Sequence, residues 1–265
     1  MKNKLISSLF LNVLFLMIPV FLYAQEETEE SSPIEFGADL MSRYIWRGCD
    51  LGGKSPSLQP SLSLNWKTKD TTHAIKIGAW GAYTFSATAN EEADLFLTYT
   101  FKDMITLTIN DYFFSGLNTG KKDKYFIYSK DSTGHLYEGT LSFNGTEKIP
   151  FTLLFAINFF GNDVRKIKDD GSEGTIVMSK YIELGYKKTI KEVDFNAFIG
   201  AALDDPDEDK GESGFYYNNS AGIINLGIKA SKEIKITENY KLPVQCSFIV
   251  NPEAEKAYIV FGITF

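Results

Sequence analysis

Two histidines and two cysteines among 265 residues leave little material for metal, thiol or acid–base chemistry. An enzyme needs a nucleophile, a base and a stabiliser together. His73 opens one segment, His135 sits beside Gly134 at a long connection, and neither has a serine partner. The expectation is therefore two solvated histidines, with no enzyme, no metal site and no cofactor. An excess of cations is also missing: Lys and Arg number 27 against 34 Asp and Glu, a formal charge of −7, which argues against nucleic-acid partners.

Long apolar runs are absent except at the start. Residues 1–24, MKNKLISSLFLNVLFLMIPVFLYA, carry Lys2 and Lys4, an uncharged apolar run and a small residue, Ala24. That order is a secretory signal peptide. Residues 25–33 read as an acidic, solvated segment beginning at Gln25, and removal of the two lysines takes the formal charge from −7 to −9. Cys49 and Cys246 are expected to stay unpaired, because one falls in a loop and the other points outward from mid-strand, a poor match to disulfide geometry.

What the chain has instead, over 34–265, is alternation with a period of two, bounded by Gly, Asn, Asp and Lys clusters. In the first segment Ile34, Phe36, Ala38, Leu40, Tyr44 and Trp46 share one face, opposite Glu35, Asp39, Arg43 and Arg47. The run SRYIWRG (42–48) thus reads as the end of a strand with a wet side and an oily side. The split recurs in SLQPSLSLNWK, in IKIGAWGAYTF and onward to AYIVFGITF, giving about twelve strands. Asn144-Gly145 reads as a two-residue hairpin turn.

The period does not say which face is inside, since soluble barrels and membrane barrels alternate alike. Geometry favours the inverted case. Twelve strands about 4.8 Å apart, tilted by roughly 40°, close into a ring of radius about 12 Å, a bore that apolar side chains cannot fill. The opposite face is too charged for a core: Glu35, Asp39, Arg43, Arg47, Lys76, Asp94, Glu138, Glu183, Asp194 and Lys229 would be buried at several kcal/mol each unless paired. The fold class expected is all-β, an antiparallel up-and-down transmembrane β-barrel of about twelve strands, with those ten residues lining the pore.

Aromatic residues gather near strand ends on the oily face, among them Tyr44, Trp46, Trp66, Tyr83, Phe85, Phe113, Phe151 and Tyr186, as a girdle at two bilayer interfaces requires. The two histidines would lie on the wrong side of this wall for a shared lumenal site. The final strand resembles, in its terminal Phe265, the signal that outer-membrane assembly machinery recognises. Asp205, Asp207 and Asp209 are spaced like hard-oxygen ligands, but Lys210 stands where an EF-hand needs Gly and Tyr216 where it needs a bidentate acid, so a solvated loop is expected. GCDLGGK is no phosphate loop, for no strand-to-helix context follows.

GADLMSRYIWRG followed by PSLQPSLSLNW resembles the first hairpin of the TorF-type porin family, with its Ser-Arg-Tyr-aromatic-Arg-Gly run and a Gln-Pro on the next strand. The ending NPEAEKAYIVFGITF is similar too. The resemblance implies a channel-type barrel of the bacterial outer membrane and supplies no catalytic residue.

The function expected is passive diffusion of small hydrophilic solutes through a polar lumen with a free gap of roughly 10 Å. Its partners would be outer-membrane lipid, the solutes and the assembly machinery. The alternative is a plugged barrel with a structural or partner-binding role, the segments at 115–135 and 161–174 closing the mouth. An outer-membrane hydrolase ranks below both.

Overall fold

The structure, a computed structural model, describes residues 33–86, 91–115, 123–130 and 132–265; the expected signal peptide and most of the acidic segment lie outside them. Sixteen strands follow in chain order. They are β1 (Ile34–Met41), β2 (Ile45–Trp46), β3 (Cys49–Asp50), β4 (Ser57–Lys67), β5 (His73–Thr84), β6 (Glu91–Phe101), β7 (Ile105–Ser115) and β8 (His135–Phe143). Then come β9 (Phe151–Gly161), β10 (Arg165–Ile167), β11 (Glu173–Ile176), β12 (Lys180–Ile190), β13 (Val193–Ala202), β14 (Gly222–Lys235), β15 (Lys241–Asn251) and β16 (Lys256–Thr264).

Twelve of these form one closed antiparallel barrel, each strand beside its neighbour in sequence and β16 returning to β1. The seam pairs Asp39 with Thr264, Leu40 with Ile263 and Met41 with Gly262. Phe265 extends it, its N–H donating to the Ala38 carbonyl at 2.9 Å. Two-stranded ribbons, β2–β3 and β10–β11, stand apart from the wall.

The expected faces hold along the wall. Leu58, Leu62, Leu64, Ile77, Leu95, Leu107, Leu141, Leu184, Ile228, Phe248 and Ile259 are all exposed on the outside. Exposed apolar side chains ringing a closed sheet have only hydrocarbon as a favourable solvent, so this is a membrane-spanning barrel. The same alternation turns Ser63, Glu92, Asp94, Glu138 and Asn225 inward, where they are buried.

Turn chemistry differs in detail. Lys191 and Glu192, both with positive φ, make the two-residue hairpin between Ile190 and Val193. Around Asn144-Gly145 the strands instead end at Phe143 and resume at Phe151, because Thr146 and Ile149 bond each other and widen the loop. The long connections and both β2–β3 and β10–β11 lie at one end of the barrel, with Pro33 and Phe265 at the other.

Long loops are tied to one another at their end. Glu212 accepts the N–H of Asp207 at 3.0 Å and of Ile167 at 2.7 Å, and meets Lys166 Nζ at 3.2 Å. The backbone donors of Asp207 and then Ile167 hold its carboxyl down to about 2 from an ordinary 4.5. A depressed carboxylate stabilises above its unfolded value and loses that contribution as pH falls through the folded one. Amide protection at Ile167 and Asp207 is therefore expected to persist well below pH 4.5 and vanish near 2. Glu212→Gln should weaken protection at every pH above about 2, whereas loss of protection already at the ordinary carboxylate value would contradict the tie.

Candidate functional site

The wall does not carry SRYIWRG. After Met41 the chain pins Ser42 to Phe261 by a pair of bonds, N–H to carbonyl at 2.8 Å and Phe261 N–H to Ser42 Oγ at 2.9 Å, and then leaves the sheet. Residues 43–50 fold into the lumen as a ribbon, with Trp46 paired to Cys49 across Arg47 and Gly48. Both turn residues have positive φ, 49° and 78°, as a tight two-residue turn of the right twist demands. At Gly48 no side chain fits, since a Cβ would meet the Ile224 carbonyl oxygen at 1.8 Å. Asn251 Nδ2 donates to the Gly48 carbonyl at 3.1 Å, bolting the tip to the wall.

Arg47 is the centre of this insertion. Its two terminal nitrogens donate to Glu138 on β8 at 2.5 and 3.0 Å, a bidentate fork, and Nη1 also meets Tyr216 Oη at 3.0 Å. The Trp46 and Tyr181 rings lie 4.5 and 4.7 Å from the guanidinium carbon. Glu138 has no exposure, and Tyr112 and Thr140 hydroxyls fill its remaining acceptor capacity, each at 3.0 Å. Trp46 stacks on Tyr216 at 5.7 Å and meets Tyr112 edge-on at 5.8 Å. One ribbon is thus tied to β7, β8, β12 and the 203–221 connection at once.

This placement corrects three expectations. Tyr44 and Trp46 are not girdle residues: Tyr44 is buried inside, donating to Glu92 Oε2 at 2.7 Å, and Trp46 packs in the lumen. Arg43 and Arg47 do not stand on a strand of the wall; Arg47 crosses the bore, while Arg43 sits over Tyr258 and 3.6 Å from Asp50. Phe113 faces outward as expected but is buried, covered by Tyr125. Trp66 is half-buried, and Tyr83, Phe85, Phe151 and Tyr186 are exposed.

The other pore-lining candidates divide by depth. Asp39, Asp94 and Lys229 line a lumenal cavity of about 550 Å³ beside Arg43, Arg47, Gln59, Trp80, Asn110, Asn225 and Gln245. Glu183 is held by Tyr181 Oη at 2.5 Å and Asn225 Nδ2 at 2.8 Å. Glu35 and Lys76 pair at 3.1 Å and Asp194 takes the Thr189 hydroxyl at 2.6 Å, all exposed at the short-turn rim. Asp205, Asp207 and Asp209 do not converge: Asp205 accepts the Ala221 N–H at 2.6 Å, and no metal-ligating group of three is present among the described residues. Cys49 is buried beside the Tyr216 carbonyl, Cys246 is exposed, and both are free thiols.

No protein-family model matches the chain, and no curated protein matches it in sequence. Solved structures similar to it include a NanC porin, with 9% identity over 87% of this chain and 98% of that one and a TM-score of 0.42. Another is the β-domain of the Bordetella autotransporter BrkA, with 9% identity over 88% and 98% and a TM-score of 0.39. BamA from Haemophilus ducreyi lacking POTRA domains 1–3 gives 12% identity over 83% and 41% and a TM-score of 0.36. Likeness at these scores decides nothing. Strand register and the two faces of the wall establish the barrel on their own.

Breaking a buried pair strands the remaining charge, at about 3–5 kcal/mol. Arg47→Ala is therefore expected to lower the urea midpoint of the folded barrel strongly. Arg43→Ala, at a loose and partly exposed contact, should stay within about 0.5 kcal/mol. Equal effects of the two substitutions would refute the assignment of Arg47 as the anchor.

Proposed function

We propose that the chain is a bacterial outer-membrane channel for passive diffusion of small hydrophilic solutes, its bore narrowed from within by the 43–50 ribbon. The observation that carries this reading is the cavity of about 550 Å³, walled by Asp39, Arg43, Asp94, Lys229 and amide side chains inside a sheet whose outer face is apolar. Charged and amide groups at close quarters replace part of a solute's hydration shell, and opposite signs across a narrow bore orient polar molecules. In this reading the lipid contacts are the outward residues, the long connections face outside, and Phe265 at the seam serves assembly.

A second reading has its own support. The Arg47–Glu138 fork, the Tyr181 ring and the Gly48–Asn251 bond hold the ribbon at three points of the wall, and Tyr216 holds it from the 203–221 connection. A barrel so filled is a plugged one, with a structural or partner-binding role. The closing segment described by the structure is then 43–50 with the Phe215–Tyr216 stretch, while 116–122 and 131 of the expected 115–135 segment lie outside the described residues. A hydrolase draws no support from the histidines: His73 bonds Tyr99 at 2.7 Å and His135 bonds Asp111 at 2.7 Å, both away from the lumen.

Single-channel recording in planar bilayers separates these readings. The channel reading expects discrete small steps from the intact protein and steps several-fold larger when residues 45–50 are replaced by a short glycine linker. Conductance only after that replacement establishes the plug, and silence from both correctly folded proteins removes the channel.

A further inference from the structure

Asp111 and His135 break the pattern of the wall. By alternation Asp111, Phe113, His135 and Tyr137 point to the lipid side of β7 and β8, two residues beyond the exposed Ile109 and near the exposed Leu141 and Phe159. A carboxylate facing hydrocarbon is unfavourable, increasingly so with depth. Residues 123–130 cover it. His135 has no exposure; its Nε2 donates to the Tyr125 carbonyl at 2.6 Å and its Nδ1 shares a hydrogen bond with Asp111 Oδ1 at 2.7 Å. Both ring nitrogens are engaged, and the Tyr128, Tyr125 and Phe113 rings surround the imidazole at 4.4, 4.8 and 4.8 Å. The covering strap is further held by Arg165 Nη2 on the Lys130 carbonyl at 3.2 Å.

Its free face is the other half of the observation. Lys124, Phe126, Tyr128 and Lys130 are exposed in alternation, Phe126 to 87%. Neither ammonium has an ion pair or hydrogen bond among the described residues. Two aromatic rings flanked by two cations, lying on the lipid side of a barrel just above its apolar band, match the depth profile of an interface: rings at the headgroup boundary, ammonium groups at the phosphates.

We infer that residues 124–130 form a lipid-headgroup site on the outer wall, with Phe126 and Tyr128 in the interface and Lys124 and Lys130 on the phosphates of an outer-leaflet phosphorylated glycolipid. This rests on the outer-membrane reading, in which the leaflet beside the long connections is built of such lipid. The His135 clamp is what fixes the strap at that height. The site is distinct from the lumen and independent of whether the bore conducts.

The test uses the whole barrel, carrying Cys246→Ser, in phosphatidylcholine vesicles with and without lipid A. A polarity-sensitive label on Phe126→Cys should report an interfacial environment, and one on Leu62→Cys hydrocarbon. Lipid A retained per barrel should fall roughly five-fold for each of Lys124→Ala and Lys130→Ala, with Lys54→Ala as an unaffected control. An aqueous label at 126 beside a hydrocarbon label at 62 overturns the site alone; aqueous labels at both overturn the membrane barrel beneath it. Retention of lipid A that ignores the two lysines, or a lysine dependence reproduced equally by phosphatidylglycerol, overturns the glycolipid assignment.

Discussion

A wall of peptide bathed in hydrocarbon can leave no amide unpaired, because nothing on that side will bond it. Closure of the sheet follows from this, and the seam between β1 and β16 is where it is completed, by three register pairs and the Phe265–Ala38 bonds. Once the ring closes, the period of two has only one consistent assignment: Leu62 and Leu64 outside, Ser61 and Ser63 inside. The polar residues then have to be served by water or by one another. Glu138, Glu183 and Asp94 show the second solution, each satisfied by tyrosine, threonine, asparagine or backbone donors rather than left bare.

The inserted ribbon follows from the same necessity. Twelve strands enclose more space than side chains fill, and a short segment that bends inward gains a wall on every side. Arg47 suits the task because its planar fork grips a carboxylate while its faces lie against aromatic rings, which a lysine does not reproduce. The ribbon itself lines the cavity from Arg43 to Gly48, so narrowing and polarity come from one element. Outside, the strap over Asp111 solves the complementary problem of a charge on the oily face.

Most of the wall was legible because alternation is a property of each strand taken singly. The strand count, the closing order and the inward placement of Asp39, Asp94 and Lys229, with Glu183 against Asn225, all come from it. The failure at Tyr44 and Trp46 has a specific cause. Alternation continues through the ribbon, and period states which residues share a face without stating which surface that face meets. The legible clue was Arg47-Gly48, a turn pair in mid-pattern, followed by Gly52-Gly53. Phe113 was placed on the correct face, but Tyr125, which covers it, lies in a connection outside the barrel ladder, whose position strand alternation does not give. The Arg47–Glu138 contact spans 91 positions, and no local rule reaches that far.

The most direct measurement of the inverted wall is a spin-label accessibility scan along β4 in vesicles, at Ser61, Leu62, Ser63 and Leu64 in turn, with Cys49 and Cys246 replaced. Labels at 62 and 64 should be relaxed by oxygen dissolved in the lipid, and those at 61 and 63 by a water-soluble nickel chelate. Four labels equally open to the chelate, with no alternation, would mean that the oily face does not meet a bilayer.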